Sequence, residues 1–258
     1  MNELAILVLS CDKYAFIWKP YFQNLKMMWP DCPYKIYLLT NNKKYIAQNV
    51  TSLCVGNDTM WGENLTKALK KITENYVLTT FDDLFFTSNI NTNKIYRLFE
   101  LFKEKNMNYL KLNYPRKYDL KSIENHTQIG EIPRGISYRS SAVATIWKKA
   151  VLLDINDNAY SAWDFEIKGS NRTNKYDKWY GSLVQDMPFL NLIIKGKCDP
   201  NVYKYFKEKG IDLSDDRLVI MNYKDQIRYE LRKKCSALFH RLVPNKKGAR
   251  IREKFHLV

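Results

Sequence analysis

Two short stretches carry residue types suited to group-transfer chemistry. Asp82 and Asp83 are adjacent and follow Tyr76-Val77-Leu78-Thr79-Thr80-Phe81, a run of strand length. Neighbouring carboxylates at the end of an apolar strand are costly unless something uses or solvates them. In open α/β sheets, ligands bind outside the carboxyl ends of the strands. A phosphate-bearing ligand and a divalent cation are therefore expected at Asp82 and Asp83. The alternative is a solvated turn, since Asp favours turns. The second stretch is Trp163-Asp164-Phe165-Glu166. If it is extended, alternation puts both acids on one face and both rings on the other. One carboxylate would then take a proton from a hydroxyl. The alternative is a helix start with its acids favoured by the dipole. Residue types alone do not separate Asp164 from Glu166.

The elements around these stretches alternate. Ala5 to Leu9 is a continuous apolar run and reads as a strand buried on both faces. A polar turn, Ser10-Cys11-Asp12-Lys13-Tyr14, closes it. Tyr21, Leu25, Met28 and Trp29 share one face of a helix that Pro30 and Pro33 stop. Tyr34 to Leu39 is a second strand. Asn57-Asp58 is a candidate cap for a helix carrying Trp61, Leu65, Ala68, Leu69 and Ile72. Ile95, Leu98, Phe99 and Phe102 mark a further helix, and Asn108 to Asn113 a strand. Residues 114–136 are polar, with two prolines and two glycines, and read as a long surface loop. Ala142 to Trp147 is a strand or strand-to-helix segment, Leu190 to Ile194 a last strand, and Val202 to Lys209 a helix ending at Gly210. Strand–helix alternation of this kind implies an α/β fold with a parallel sheet.

Composition narrows the class. The chain has 258 residues, 45% hydrophobic and 14% aromatic, enough for one sizeable core. Apolar runs fall short of the ~20 residues that span a bilayer, and Ala5–Leu9 is too short for a signal-peptide core. A cytoplasmic protein is expected. Five scattered cysteines and three distant histidines argue against disulfide or zinc frameworks. The net charge of +15 attracts polyanions. Basic residues gather from Lys224 onward, interleaved with Leu231, Leu238, Phe239, Leu242, Ile251 and Phe255. This is a basic amphipathic extension, either packed on the domain or attached to an anionic membrane.

Three groups of segments together resemble bacterial glycosyltransferases of capsule, O-antigen and lipopolysaccharide loci. The first is Ile6 to Tyr14 with Trp29 to Leu38. The second is Trp61-Gly62-Glu63-Asn64-Leu65 with Glu74 to Leu78 and Asp82 to Phe86. The third is Tyr138 to Trp147 with Trp163 to Glu166 and Gly169-Ser170. They span residues 5–200. The resemblance implies a GT-A-like, Rossmann-type mixed sheet flanked by helices, over residues 1–223, with a basic helical C-terminal extension over 224–258. It also implies a nucleotide-sugar donor and a polysaccharide or lipid-linked acceptor. On that basis Ser10, Asp12, Asp58, Trp61, Asn64 and Asp82 belong to the donor side. Arg134, Tyr138, Arg139 and Trp163 belong to the acceptor side, the indole stacking on a sugar and an arginine clamping a phosphate. Asp164 or Glu166 is the base, and Asp83 joins them in catalysis.

One departure from the family pattern concerns the metal. Such enzymes carry Asp-any-Asp, whereas Asp82 and Asp83 are adjacent. Successive strand residues point to opposite faces, so both reach one Mn²⁺ or Mg²⁺ only if the strand has broken into a turn. No histidine stands near residues 195–200. Lys195 and Lys197 are there instead, and a lysine beside a diphosphate neutralises leaving-group charge without a metal. Both a metal-dependent and a metal-independent mechanism are open on the sequence. A catalytically inactive relative is a further alternative. So is a nucleic-acid-binding protein, although no zinc-finger or ribonucleoprotein signature supports that one. The partners expected are a nucleotide sugar, a glycan or lipid-linked acceptor and an anionic inner-membrane surface that the protein touches peripherally.

Overall fold

The first strand, β1 (Leu4–Leu9), is apolar throughout and all six of its residues are buried. Such a strand needs cover on both faces. Its alternation divides the core in two. Leu4, Ile6 and Val8 pack with α1 (Ala15–Met28) and α3 (Thr92–Glu104), while Ala5, Leu7 and Leu9 pack with α2 (Trp61–Lys71) and α4 (Lys149–Ile155). The computed structural model describes residues 3–114, 120–123 and 126–242.

The remaining strands of the main sheet are β2 (Lys35–Thr40), β3 (Val50–Cys54), β4 (Tyr76–Phe81), β6 (Tyr109–Lys111), β7 (Lys121–Ile123), β8 (His126–Glu131), β9 (Thr145–Lys148) and β10 (Trp179–Ser182). Nine strands run in the order β3-β2-β1-β4-β9-β6-β10-β8-β7. The first four are mutually parallel, and β9 enters antiparallel between β4 and β6. This is a mixed α/β fold with helices on both faces of the sheet. Strand order reverses at β1, so the crevice between β1 and β4 opens beyond their carboxyl ends, where α/β sheets bind ligands.

A small ribbon completes the floor of this crevice. β5 (Leu84–Phe86) follows β4 after two residues and pairs antiparallel with β11 (Phe189–Asn191). The buried Asn24 side chain of α1 seals the other edge of β5: its Nδ2 donates to Phe86 O at 3.0 Å and its Oδ1 accepts from Phe86 N at 2.7 Å. β12 (Ile193–Ile194) and β13 (Lys197–Cys198) form a hairpin whose two turn residues, Lys195 and Gly196, have φ of 52° and 79°. That is the backbone a two-residue hairpin requires. The last helices are α5 (Ala162–Arg172), α6 (Pro200–Glu208) and α7 (Tyr223–Leu242).

Several sequence expectations change here. The stretch 114–136 contains β7 and β8 rather than only loop, because β10 offers β8 an antiparallel edge. Leu190–Ile194 is two short strands in separate ribbons, not one. Trp163–Glu166 is the first turn of α5, not an extended segment: the Ser161 side chain caps it in a reciprocal box with Asp164. The N-cap of α2 is Met60, so Asp58 does not cap it. In the basic extension α7 is a helix as expected, and its first turn is tied to the body by the Lys197–Asp225 ion pair at 2.5 Å. Lys246, Lys247, Arg250, Ile251, Arg252, Lys254 and Phe255 lie outside the described residues, as do the side chains of Lys233, Leu238, Phe239, Arg241 and Leu242. Among the described residues no helix is long and apolar enough to cross a membrane.

Helix α2 can approach the 156–160 loop only because of Gly62. Its N–H donates to Tyr160 O at 2.8 Å and its carbonyl accepts from Asn156 Nδ2 at 2.7 Å. A Cβ at this position would lie 1.9 Å from the carbonyl oxygen of Asp157. Gly62→Ala is therefore expected to lose roughly 1–3 kcal/mol of stability, as overpacking does, read from the urea midpoint at unchanged slope. An unaltered midpoint would show that this contact does not hold α2 in place.

Candidate active site

Two cavities adjoin at the carboxyl ends of β1 and β4. The first, about 310 Å³, is lined by Ser10, Tyr14, Asp58, Trp61, Asp82 and Asp83 among others. The second, about 240 Å³, is lined by Phe81, Val143, Trp163, Glu166 and Asn191 among others. Trp61, Phe81, Asp83 and Ala162 belong to both. A larger cleft of about 620 Å³ lies at the amino ends of the strands, around Glu3, Lys35 and Glu74. It is remote from Asp82, Asp83 and Glu166, so size does not decide the site; the convergent acids and rings do.

The acid pair stands where β4 stops. Phe81 is the last strand residue and Asp82–Asp83 form a turn before β5. This meets the condition under which both carboxylates reach one ligand. The turn is held from both sides: Asp82 N donates to Leu9 O at 3.3 Å, and Leu192 N donates to Asp83 O at 2.7 Å. Asp82 is 5% exposed. The Ser10 hydroxyl donates to its Oδ2, and Trp18 Nε1 donates to Ser10 Oγ at 2.7 Å. Burial, and then the charge of Asp83, push the Asp82 carboxyl well above the usual range against those hydrogen bonds. Burial also pushes Asp83 up to about 6. Asp82 is thus the oriented, inner member, while Asp83 faces both cavities.

The surrounding side chains fall into two groups. Asp58, Trp61 and Asn64 come together with the acid pair at the first cavity. Asn64, buried on α2, donates from Nδ2 to Asp58 Oδ1 at 2.9 Å and orients it into the first cavity. The Trp61 ring sits 5.2 Å from that of Phe165 and forms a wall common to both cavities. Trp163 is 51% exposed with its indole on the second cavity.

Others do not join them. Asp12 lines neither cavity: its carboxylate accepts from the backbone N–H of Asn41, Asn42 and Lys43, each at 2.9 Å, and so ties the β1 and β2 ends together. Lys195 is in a hairpin turn, Lys197 is paired with Asp225, and neither lines a cavity. Arg134 and Tyr138 are also absent from both linings. Arg139 is 1% exposed and donates to the carbonyls of Thr173, at 2.5 Å, and Tyr176, at 3.1 Å, while stacking on Trp179. It buttresses the end of α5 and has no free donor fork for a phosphate.

The structure separates the two acids that the sequence leaves equivalent. Residues two apart on a helix point about 200° from each other. Asp164 turns outward, accepts from Ser161 Oγ at 2.7 Å and pairs with Lys168 at 2.7 Å. Lys168 and Ser161 hold its carboxyl down at about 2, which makes it a poor proton acceptor. Glu166 turns inward to the second cavity. Burial raises its proton affinity, opposed by the charge of Lys111 and a hydrogen bond from Ser141.

Tyr14, Phe81, Val143 and Asn191 also line the site, and their residue types alone carry no signal for it. Tyr14 belongs to the turn after β1, but nothing in its type says that the ring faces inward. Among the described residues no three His, Cys, Asp or Glu side chains converge as a metal cage. A hard cation does not need one: Mg²⁺ is commonly held by one or two carboxylates together with substrate phosphates. Asp83 with Asp82 behind it fits that donor set. No Lys, Arg or His among the described residues lines either cavity.

No family model matches the chain, and no curated protein matches it. Among solved structures, S. aureus TarS 1-349 aligns at 13% identity over 72% of this chain and 59% of that one, with a TM-score of 0.43. The same protein in complex with UDP-GlcNAc aligns at 12% identity over 72% and 57%, with a TM-score of 0.41. HddC from Yersinia pseudotuberculosis, complexed with GMP-PN, aligns at 13% identity over 80% and 98%, with a TM-score of 0.46. The chain spans less than two thirds of the length of the TarS structure.

Proposed function

We propose that this chain transfers a sugar from a nucleotide-sugar donor to a hydroxyl of a glycan acceptor, with the donor in the first cavity and the acceptor in the second. The observation that carries this is the shared wall: Asp83 faces both cavities, while Glu166 opens only into the second. Bond exchange needs two substrates to meet at one point, and the cavities meet there. The acceptor oxygen bonds to the anomeric carbon, the bond from that carbon to the diphosphate breaks, and the nucleoside diphosphate leaves with the electron pair. Glu166 takes the proton of the hydroxyl, which its burial-raised proton affinity favours. Aromatic walls at Trp61, Phe81 and Trp163 exclude water and stack on sugar faces.

The cavities also bear on the leaving group. Their charged lining residues are Asp58, Asp82, Asp83 and Glu166, all acidic. A diphosphate placed there meets no side-chain cation. A divalent cation held by Asp83, with Asp82 behind it, would supply the missing positive charge. This favours the metal-dependent alternative over neutralisation by Lys195 or Lys197.

The acceptor in this proposal is a growing surface polysaccharide or a lipid-linked glycan at the inner face of the cytoplasmic membrane. Support for the location comes from α7, where exposed Tyr223, Ile227 and Leu231 alternate with Lys224, Arg228 and Arg232. Each basic side chain near an anionic bilayer contributes about 1 kcal/mol. Sedimentation with anionic but not neutral vesicles tests it. Equal recovery with both would remove the membrane from the proposal.

Nucleotide release measured over a panel of nucleotide sugars, with and without Mn²⁺, tests the reaction. At least one donor is expected to turn over and to lose turnover on chelation; no turnover of any would overturn the transfer proposal. Asp83→Ala should lower the rate at least about a hundredfold. Its effect on stability should have the opposite sign. A carboxyl whose folded pKa is raised gains stability as pH falls from about 6 towards 4, so its ionised form burdens the fold at pH 7.5. Without added metal, the variant should melt at or above the wild-type temperature there, and that advantage should shrink as pH falls.

Glu166→Gln should lower turnover by roughly 10²–10⁴ with donor affinity kept. Asp164→Asn should keep turnover and lose roughly 1 kcal/mol from the α5 cap. The reverse pattern would reassign the base. Because Lys111 eases the ionisation of Glu166, Lys111→Met should move the acid limb of the rate profile to higher pH. An unmoved limb would show that another group controls it.

A further inference from the structure

The second cavity, assigned above to the acceptor, has a charge character that selects among sugars. Its walls are apolar and aromatic, chiefly Phe81, Val143 and Trp163, with Asn191 at the exposed rim. Its two charged lining residues, Asp83 and Glu166, are both carboxylates. Lys111 acts on Glu166 but is not a lining residue. Lys168 is paired with Asp164 on the outward side of α5. A cation at Asp83 would have its charge matched by the donor diphosphate, so it would leave none for a second anion. In a protein of net charge +15 this acidic enclosure is not a by-product of composition.

We propose that the second cavity accepts a pyranose bearing no anionic group, a neutral or amino-substituted sugar, and rejects uronic acids and phosphorylated sugars; this rests on the transfer proposal above for its role as the acceptor site. The apolar walls cover the C–H faces of the ring, and the half-exposed Trp163 indole supplies a stacking surface. The carboxylates accept hydrogen bonds from hydroxyls or an ammonium and repel a carboxylate or phosphate. Even in a part-open cleft, like charges a few ångströms apart weaken binding by about tenfold.

Binding of simple glycosides tests this without requiring turnover. The probes are the methyl glycosides of a neutral hexose, of the matching 2-amino-2-deoxyhexose and of the matching hexuronic acid, followed by saturation-transfer NMR at pH 7.5. The neutral and amino glycosides are expected to bind the wild type, and the uronide at least about tenfold more weakly. Trp163→Ala should weaken the neutral glycoside, which places it in this cavity. Asn191→Lys puts an ammonium at the rim and should narrow the gap between uronide and neutral sugar by about tenfold.

Equal or tighter uronide binding, no binding of any glycoside, or a gap untouched by Asn191→Lys would each overturn the proposal. Donor turnover, read separately by nucleotide release, keeps the two proposals apart. A protein that releases nucleotide yet prefers the uronide retains transfer and loses this selectivity. One with the selectivity and no nucleotide release does the reverse.

Discussion

The break in β4 after Phe81 is the constraint on which the site depends. A strand continued through Asp82 and Asp83 would send the two carboxylates to opposite faces, one of them into the apolar core. The turn instead brings both to the crevice. It is held by the main chain of two distant segments, Leu9 at the end of β1 and Leu192 beyond β11. Inside the turn, Trp18 and Ser10 form a short relay onto Asp82. These bonds only partly offset burial, since both carboxyls remain raised. The crevice therefore holds two carboxyls whose ionisation is disfavoured, as ligand and cation sites commonly do.

Much of the rest of the molecule keeps that turn and its surroundings in place. Asn24 gives β5 a hydrogen-bonding edge that no strand supplies. Asp12 gathers three backbone N–H groups of the β2 exit and so ties the ends of β1 and β2 together. Gly62 lets α2 lie against the 156–160 loop, which carries Trp61 towards Phe165 and sets the wall between the two cavities. Arg139, stacked on Trp179, anchors the carbonyls at the far end of α5, whose first turn presents Trp163 and Glu166. None of these residues has to touch a substrate for the site to depend on it.

The charge distribution separates surface from site. Basic residues predominate over the chain, yet the described lining of both cavities holds acids and no cations. Net charge governs encounter with anionic surfaces. The local acids govern which groups are tolerated inside.

The alternation of strands and helices, the burial of β1 on both faces and the position of Asp82–Asp83 at a strand end are legible in the amino-acid order, because hydrophobic periodicity is a local property of the chain. So is the basic composition of the helix that begins at Tyr223. The short strands β7, β8 and β10 are not, because their pairing depends on edges offered by distant residues. Nor does local pattern reveal which polar groups are already engaged. Asp12, Arg139 and Lys197 have the right chemistry for a ligand, but their partners Asn41, Asp225, Thr173 and Tyr176 lie between 28 and 37 positions away. Asp164 and Glu166 look interchangeable as an alternating pair, and they part only because Ser161 caps a helix there. The rotation of that helix turns one carboxylate to Lys168 and solvent and the other into the cavity, and rotation about a helix axis is set by tertiary packing of Phe165 against Trp61 and Trp147.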